Sequence, residues 1–577
     1  MTLQSVRDDP LGAVRIFAGL SEELRGELLG HAERSRLAAG EWVFRAGEPA
    51  AAMYVVLSGR LEVLIEQPEE LVIRVLDRGA ALGELALLTG KPRSASARAR
   101  RDSELLKLTR EAFGELIRSD AFARELLRAL GEQLQASRSL DASMSPRPAT
   151  VSVVPARPGL DAEGFAHAIT RELGRWAPTA LIDTAGAGSD ATGFGPLLDR
   201  LEHEHEHVVL AAARPPGDPW TEFCLRHGDR TFALVSGAPD SAVTESLTGC
   251  EPVCAEAEAH GRLSAWLDVL RATRGRLIGD GGPRGCTASI ARAIAGRSLG
   301  IVLSGGGARG LAHIGVLDEL TRAGLEIDRV AGCSMGAVIG AMFASGRSPD
   351  EIRRICETEF AGRNPLGDYT LPLVALVRGE RARSMGERIY GDRLIEELPR
   401  QFYSVSCDLI SSELVFHRRG RLDEGVGASM ALPGVFPPVS VDDRFLVDGG
   451  VLNNLPIEAM AADGEGPIIA SDVTARFEPP RRRPRHDLLQ RAREALTGIG
   501  APVPLGFREI MMRTVVLGSI DTAEAARRHA DVVIEPAVQA IGLMAFDQLP
   551  AAFQAGRRAA AAALESSPEL VSRYASG

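Results

Sequence analysis

The sequence predicts a multidomain α/β protein: a small all-β roll, then a middle α/β unit, then a larger C-terminal α/β unit. Three observations carry this. The first 135 residues hold short alternating runs punctuated by Gly40, Gly47, Gly59 and Gly79. From 150 to 296, strand-like runs alternate with helix-like segments. Beyond residue 297, two glycine-rich turns each join an apolar strand pattern to a helix pattern. The expected division is 1–136, a linker at 137–149, 150–296 and 297–577.

In the first unit, the segments 41–45, 53–57, 60–65 and 71–76 read as strands. They lead into Leu82-Gly83-Glu84, with Arg93-Ser94 about ten residues on. A short helix starting at Gly83 can grip a ribose phosphate: Glu84 accepts from the ribose hydroxyl, while Arg93 and the helix amides hold the phosphate. This stretch resembles the phosphate-binding cassette of cyclic-nucleotide-binding domains, over residues 10–135. The resemblance implies a β-roll fold, cAMP or cGMP as a regulatory ligand, and Gly83, Glu84, Arg93 and Ser94 as nucleotide-binding residues. A scaffolding barrel that has outlived its ligand is the other reading. A leucine-rich helix is expected at 122–134, and no helix-turn-helix follows it.

Strands are expected at 150–154, 180–183, 207–212 and 231–235. Pro155-Ala156-Arg157-Pro158-Gly159 stands where a phosphate-binding loop would carry a G-x-x-x-x-G-K-[ST] pattern, so the unit is similar to a P-loop fold without its loop. A scaffold or coupling role is expected there. His203, His205 and His207 read as a charged helix end, and Cys250 and Cys254 as an incidental pair, so no metal site is expected.

In the third unit, Gly300-Ile301-Val302-Leu303 runs into Ser304-Gly305-Gly306-Gly307-Ala308-Arg309-Gly310. Bare amides in such a turn, a helix dipole and the Arg309 guanidinium together suit an oxyanion. The G-x-G-x-x-G spacing of Gly305, Gly307 and Gly310 also admits a dinucleotide loop. However, the next strand ends in Gly332-Cys333-Ser334-Met335-Gly336 rather than at a ribose-binding acid. That pentapeptide fits a nucleophile elbow, whose tight turn tolerates almost no side chain at Gly332 or Gly336. Asp448-Gly449-Gly450 closes a later strand pattern and supplies a carboxylate. A serine–aspartate pair is favoured. A triad through His486 or His529 stays open, with His313 and His417 less suited because they precede Asp448.

These motifs, in this order and with the segment 428–438, resemble the patatin-like phospholipases over residues 298–565. The resemblance implies an α/β hydrolase domain with Ser334 as nucleophile, Asp448 as base, and Gly305, Gly306, Gly307 and Arg309 as oxyanion binders. It also implies a phospholipid or lysophospholipid substrate and no catalytic cofactor. The pairing with the N-terminal roll is similar to the neuropathy target esterase branch of that family. A non-catalytic nucleotide sensor that binds lipid or protein partners is the alternative.

Composition sets bounds. The net charge of −11 argues against a nucleic-acid partner. Seven scattered cysteines fit a reduced, cytoplasmic protein. The N-terminus has no signal-peptide stretch and the long uncharged runs are broken by glycine or proline, so contact with a membrane is expected to be peripheral. Arg481, Arg482, Arg483 and Arg485 are candidates for that contact, and the apolar segments 510–512 and 541–546 for an acyl pocket. Oligomeric state is not legible.

Overall fold

The computed structural model describes residues 25–26, 30 and 32–574, apart from 66–70, 77–78, 119–149, 189–192, 241–244, 256–260, 279–282, 372–373, 442 and 475–519. The expected helix at 122–134, the linker, the arginine run, 510–512 and His486 lie outside the described residues.

Three sheets follow one another along the chain. The first is antiparallel: β1 (Ala32–Leu37), β6 (Ser96–Thr109), β3 (Ala52–Ile65) and β4 (Leu71–Leu76) lie side by side, with β2 (Trp42–Phe44) on β6 and β5 (Ala81–Leu82) on β3. The runs read separately at 53–57 and 60–65 are one 14-residue strand, β3, whose register with β6 shifts around Gly59. An added Cβ at Gly59 would lie 2.4 Å from the Asp102 carbonyl oxygen, so this crossing needs glycine. Strand β6 escaped notice because its inward alanines and leucines are interleaved with arginine and acids. Yet Ala97, Ala99, Leu105, Leu106 and Leu108 are all buried.

The middle sheet is all-parallel, in the order β12 (Arg276–Ile278), β11 (Glu251–Ala255), β10 (Arg230–Leu234), β7 (Thr150–Pro155), β9 (His207–Ala211), β8 (Thr179–Ile182). Helices cover both faces, as parallel strands require. The four expected strands are present, and β11 and β12 join them. His203 sits near the end of the helix Phe194–Glu204 while His207 opens β9 and is buried, so the histidine cluster is split between two elements. No group of three metal-binding side chains occurs among the described residues.

In the third sheet, β15 (Gln401–Asp408), β14 (Ile327–Gly332), β13 (Leu299–Leu303), β19 (Ile468–Ser471) and β20 (Val532–Ile534) run parallel. Antiparallel β16 (Leu414–His417), β18 (Arg444–Asp448) and β17 (Val439–Val441) extend the β15 side. The helices Ala312–Arg322, Met335–Ala344 and Leu549–Ser566 close the core. The first and last pack closely enough that an added Cβ on Gly556 would meet the Ala312 carbonyl oxygen at 1.9 Å.

Buried ion pairs join the three units. Arg60 pairs with Asp229, and Arg101 with Glu202 at 2.7 and 2.8 Å, between the roll and the middle unit. Glu465 of the third unit meets Arg230 and Arg274 of the middle unit, each at 3.0 Å. No described helix is long and apolar enough to cross a membrane.

Candidate active site

The parallel pairing of β13, β14 and β15 brings the turns after Leu303 and Gly332 to one edge of the sheet. Register places Asp448 at the same height. Gly332 lies opposite Ser404 of β15 and Asp448 lies opposite Ser406, so Ser334 and Asp448 are each two residues beyond the same rung. Both line one cavity of about 110 Å³.

Ser334 sits in an elbow with φ 53° and ψ −122°, a conformation that costs a non-glycine residue about 1–3 kcal/mol. Its surroundings enforce that shape. A Cβ on Gly332 would meet the Gly336 carbonyl carbon at 2.4 Å, and one on Gly336 the Leu303 carbonyl oxygen at 2.2 Å. All ten residues of the helix Met335–Ala344 are buried, which anchors the turn from below. The Ser334 amide donates to Ser429 Oγ at 3.0 Å.

Asp448 is buried, and burial pushes its carboxyl pKa up. Hydrogen bonds from the Gly450 amide (2.8 Å) and Cys333 Sγ (3.5 Å), with the Ser334 hydroxyl nearby, pull the other way. Cys333 is buried and also touches this carboxylate.

The glycine turn divides its labour. The Gly305 amide, expected to bind the oxyanion, donates instead to Asn454 Oδ1 at 3.1 Å, and Asn454 Nδ2 returns a bond to the Gly305 carbonyl at 3.1 Å. Gly305 therefore fixes the turn. The amides of Gly306, Gly307 and Met335 have no acceptor among the described residues. Arg309, expected as an oxyanion binder, donates from Nε to the Ile541 carbonyl at 2.8 Å and from Nη2 to that of Gln539 at 3.2 Å. The guanidinium ties the turn to the C-terminal segment.

Sequence reasoning missed Asn454 and Ser429. The pair Asn453-Asn454, four residues after Gly450, was the visible signal for the first. Leu543, Met544 and Phe546 line the cavity with Phe360, Leu366 and Phe436, which gives it the apolar wall expected of 541–546. No histidine lines it among the described residues. His313 is held by Ser471 Oγ (2.8 Å) and the Ser304 carbonyl (2.9 Å), and His417 by Ser406 (2.8 Å). Burial lowers the pKa of each to about 4.

In the roll, Gly83 takes φ 86° at the start of the helix Glu84–Thr89, and both Glu84 and Arg93 are buried beside it. Arg93 was expected to face a phosphate. Here its Nη1 donates to the Gly83 carbonyl at 2.9 Å and its Nη2 to that of Ala52 at 2.6 Å, while the guanidinium lies 4.0 Å from the Phe44 ring centre. Ser94 is exposed.

Comparison with known proteins places two domains in this chain. Residues 301–461 match the patatin-like phospholipase family and residues 34–120 the cyclic nucleotide-binding domain. An NTE family protein of Mycobacterium tuberculosis is 36% identical over 574 residues, covering 97% of this chain and 96% of the relative. The chain belongs to the NTE family. Human patatin-like phospholipase domain-containing protein 6 is 27% identical over 515 residues, 76% of this chain and 37% of that protein. Among solved structures, the catabolite activator protein of Thermus thermophilus is 28% identical, with a TM-score of 0.21, covering 28% of this chain and 67% of that one. This NTE family member is thus a multidomain α/β protein with an N-terminal cyclic-nucleotide-binding roll and a C-terminal patatin-like esterase domain.

Proposed function

We propose that this NTE family protein hydrolyses acyl esters of phospholipids or lysophospholipids through a serine–aspartate pair. The observation that carries the reading is the strained Ser334, in one apolar-walled cavity with a buried carboxylate and amides that have no acceptor among the described residues. Asp448 takes the hydroxyl proton as Ser334 Oγ attacks the ester carbonyl. The Gly306, Gly307 and Met335 amides hold the oxyanion, and the alcohol leaves with the proton from Asp448. Water, deprotonated by Asp448, then releases the fatty acid and restores Ser334. Purified protein should hydrolyse a short-chain nitrophenyl ester and a lysophospholipid, and a fluorophosphonate should label Ser334. Wild type as inert and unlabelled as Ser334→Ala would leave the non-catalytic sensor instead.

Cyclic nucleotide is the regulatory ligand in this proposal, because Gly83, Glu84 and Arg93 cluster at one short helix start, with Ser94 alongside. Arg93 keeps further N–H donors for a phosphate. Calorimetry should give binding heat with cAMP or cGMP that Arg93→Ala removes. Silence with both nucleotides would reduce the roll to a scaffold.

Lipid is reached peripherally, from the cytoplasmic face. Leu371 and Val374 are 79% and 70% exposed on a loop whose base bonds to Gly434 and Val435 beside the cavity wall. Ile410, 70% exposed, projects just past β15, at the same sheet edge as Ser334. Leu371→Ser with Ile410→Ser should weaken sedimentation with phospholipid vesicles by roughly tenfold, while nitrophenyl ester turnover holds. Unchanged sedimentation would remove these loops from the contact.

A further inference from the structure

A second cavity, of about 870 Å³, lies between the helix Glu380–Tyr390, the helix Leu422–Met430 and the segment 436–441. It shares Met430 and Phe436 with the Ser334 cavity, so one thin apolar wall separates the two. The start of the first helix is seated on that wall. An added Cβ at Gly379 would lie 3.6 Å from Pro437 and 3.7 Å from Phe436. The preceding residues are bonded to it, Leu376 and Val377 donating to the Gly434 and Val435 carbonyls at 3.0 and 3.1 Å.

Three arginines line this second cavity, and their situations differ. Arg421 is bound to Asp423 (2.8 and 3.0 Å) and lies 3.5 Å from Glu424. Arg378 and Arg383 are exposed, and no carboxylate lies within ion-pair distance of either among the described residues. Glu387, one turn beyond Arg383, is the remaining acid of the lining. Two uncommitted guanidinium groups at the rim of a groove that also carries Met385, Val426, Met430 and Phe436 suit an anion attached to an apolar body. A phosphate oxygen brought to such a surface without a cation partner would lose its hydration uncompensated.

We propose that Arg378 and Arg383 form a phosphodiester subsite beside the catalytic cavity. The glycerol backbone of the substrate crosses Met430 and Phe436, its scissile acyl ester reaching Ser334 and its phosphodiester resting on the two guanidinium groups. This rests on the esterase reading above, deepens it to the substrate's headgroup side, and makes the two arginines specificity-determining rather than catalytic.

The test compares a lysophospholipid with a monoacylglycerol of the same acyl chain, which lacks the phosphate, in wild type, Arg378→Ala, Arg383→Ala and the double variant. The expected result is a fall of about ten- to hundredfold in kcat/KM for the lysophospholipid, carried by KM, with the monoacylglycerol unaffected. Arg383→Lys should restore part of it. Glycerophosphodiester should inhibit wild type better than inorganic phosphate does; equal inhibition would assign the site to free phosphate and overturn the lipid assignment. Equal losses on both esters, or none on either, would overturn the subsite. Equilibrium binding of the lysophospholipid to Ser334→Ala, with and without Arg378→Ala and Arg383→Ala, reads the subsite without turnover. A twofold or smaller difference there would also sink it. Inert wild type with arginine-dependent lipid binding would instead fault the esterase reading alone.

Discussion

Replacing Asp448 with asparagine is expected to lower kcat for ester hydrolysis by about three to four orders of magnitude, with little change in KM. The amide keeps the shape and can still receive the Gly450 amide hydrogen bond, but it cannot take the Ser334 proton. The pH profile should carry the same signature. Burial raises the Asp448 pKa, so this carboxyl stays protonated at pH values where an exposed aspartate, near about 3.9, has ionised. Activity should therefore rise with pH through a limb above the ordinary carboxylate range, and the asparagine variant should lose that limb. Stability runs in the opposite sense. The native state holds this proton more tightly than the unfolded chain, so ionising Asp448 costs stability as pH rises through the same window. The asparagine variant should accordingly melt no lower than wild type at neutral pH. Nitrophenyl ester kinetics from about pH 4 to 9 and a thermal melt check both points. An aspartate-to-asparagine change that leaves kcat within tenfold would exclude Asp448 as the base.

Glu465→Ala is expected to cost about 3 kcal/mol or more of stability, read by urea unfolding. Glu465 is buried, and the charges of Arg230, Arg274, Arg276 and Arg329 hold its pKa far below the usual carboxylate range. A depressed carboxylate contributes stability above its unfolded pKa, near about 4.3, and loses it as pH falls through the folded value. The contribution is thus fully present at neutral pH. Removing this carboxylate leaves Arg230 with Glu251 and Arg274 with Asp463, which places the loss at the lower end for a broken buried cluster. A loss under about 1 kcal/mol would show that solvent enters this interface and screens it.

The parts of the site that could be read from sequence are those whose requirement is steric and local. Gly332 and Gly336 are demanded by a turn of five residues, and any side chain there collides with backbone. The parts that could not be read depend on contacts between distant stretches. Asn454 meets Gly305 across 149 residues, and Ser429 meets Ser334 across 95. The partners of Arg309 were hidden for the same reason: the carbonyls that hold it lie 230 and 232 residues away. Strands show the same division. β7 and β9 are rich in valine and wholly buried, whereas β11 carries Pro252 and β12 has three residues, so neither shows a period from which to be recognised.

Asp229 and Arg230 are neighbours in the chain, yet Asp229 grips Arg60 of the nucleotide-binding roll and Arg230 grips Glu465 of the esterase unit. One planar peptide group therefore stands between a displacement at one end of the molecule and a charge at the other. This limits how freely evolution or an engineer can exchange modules here. A foreign sensor grafted ahead of residue 150 would have to bring its own counterparts of Arg60 and Arg101, or strip a buried and a half-buried carboxylate of their cations at the graft.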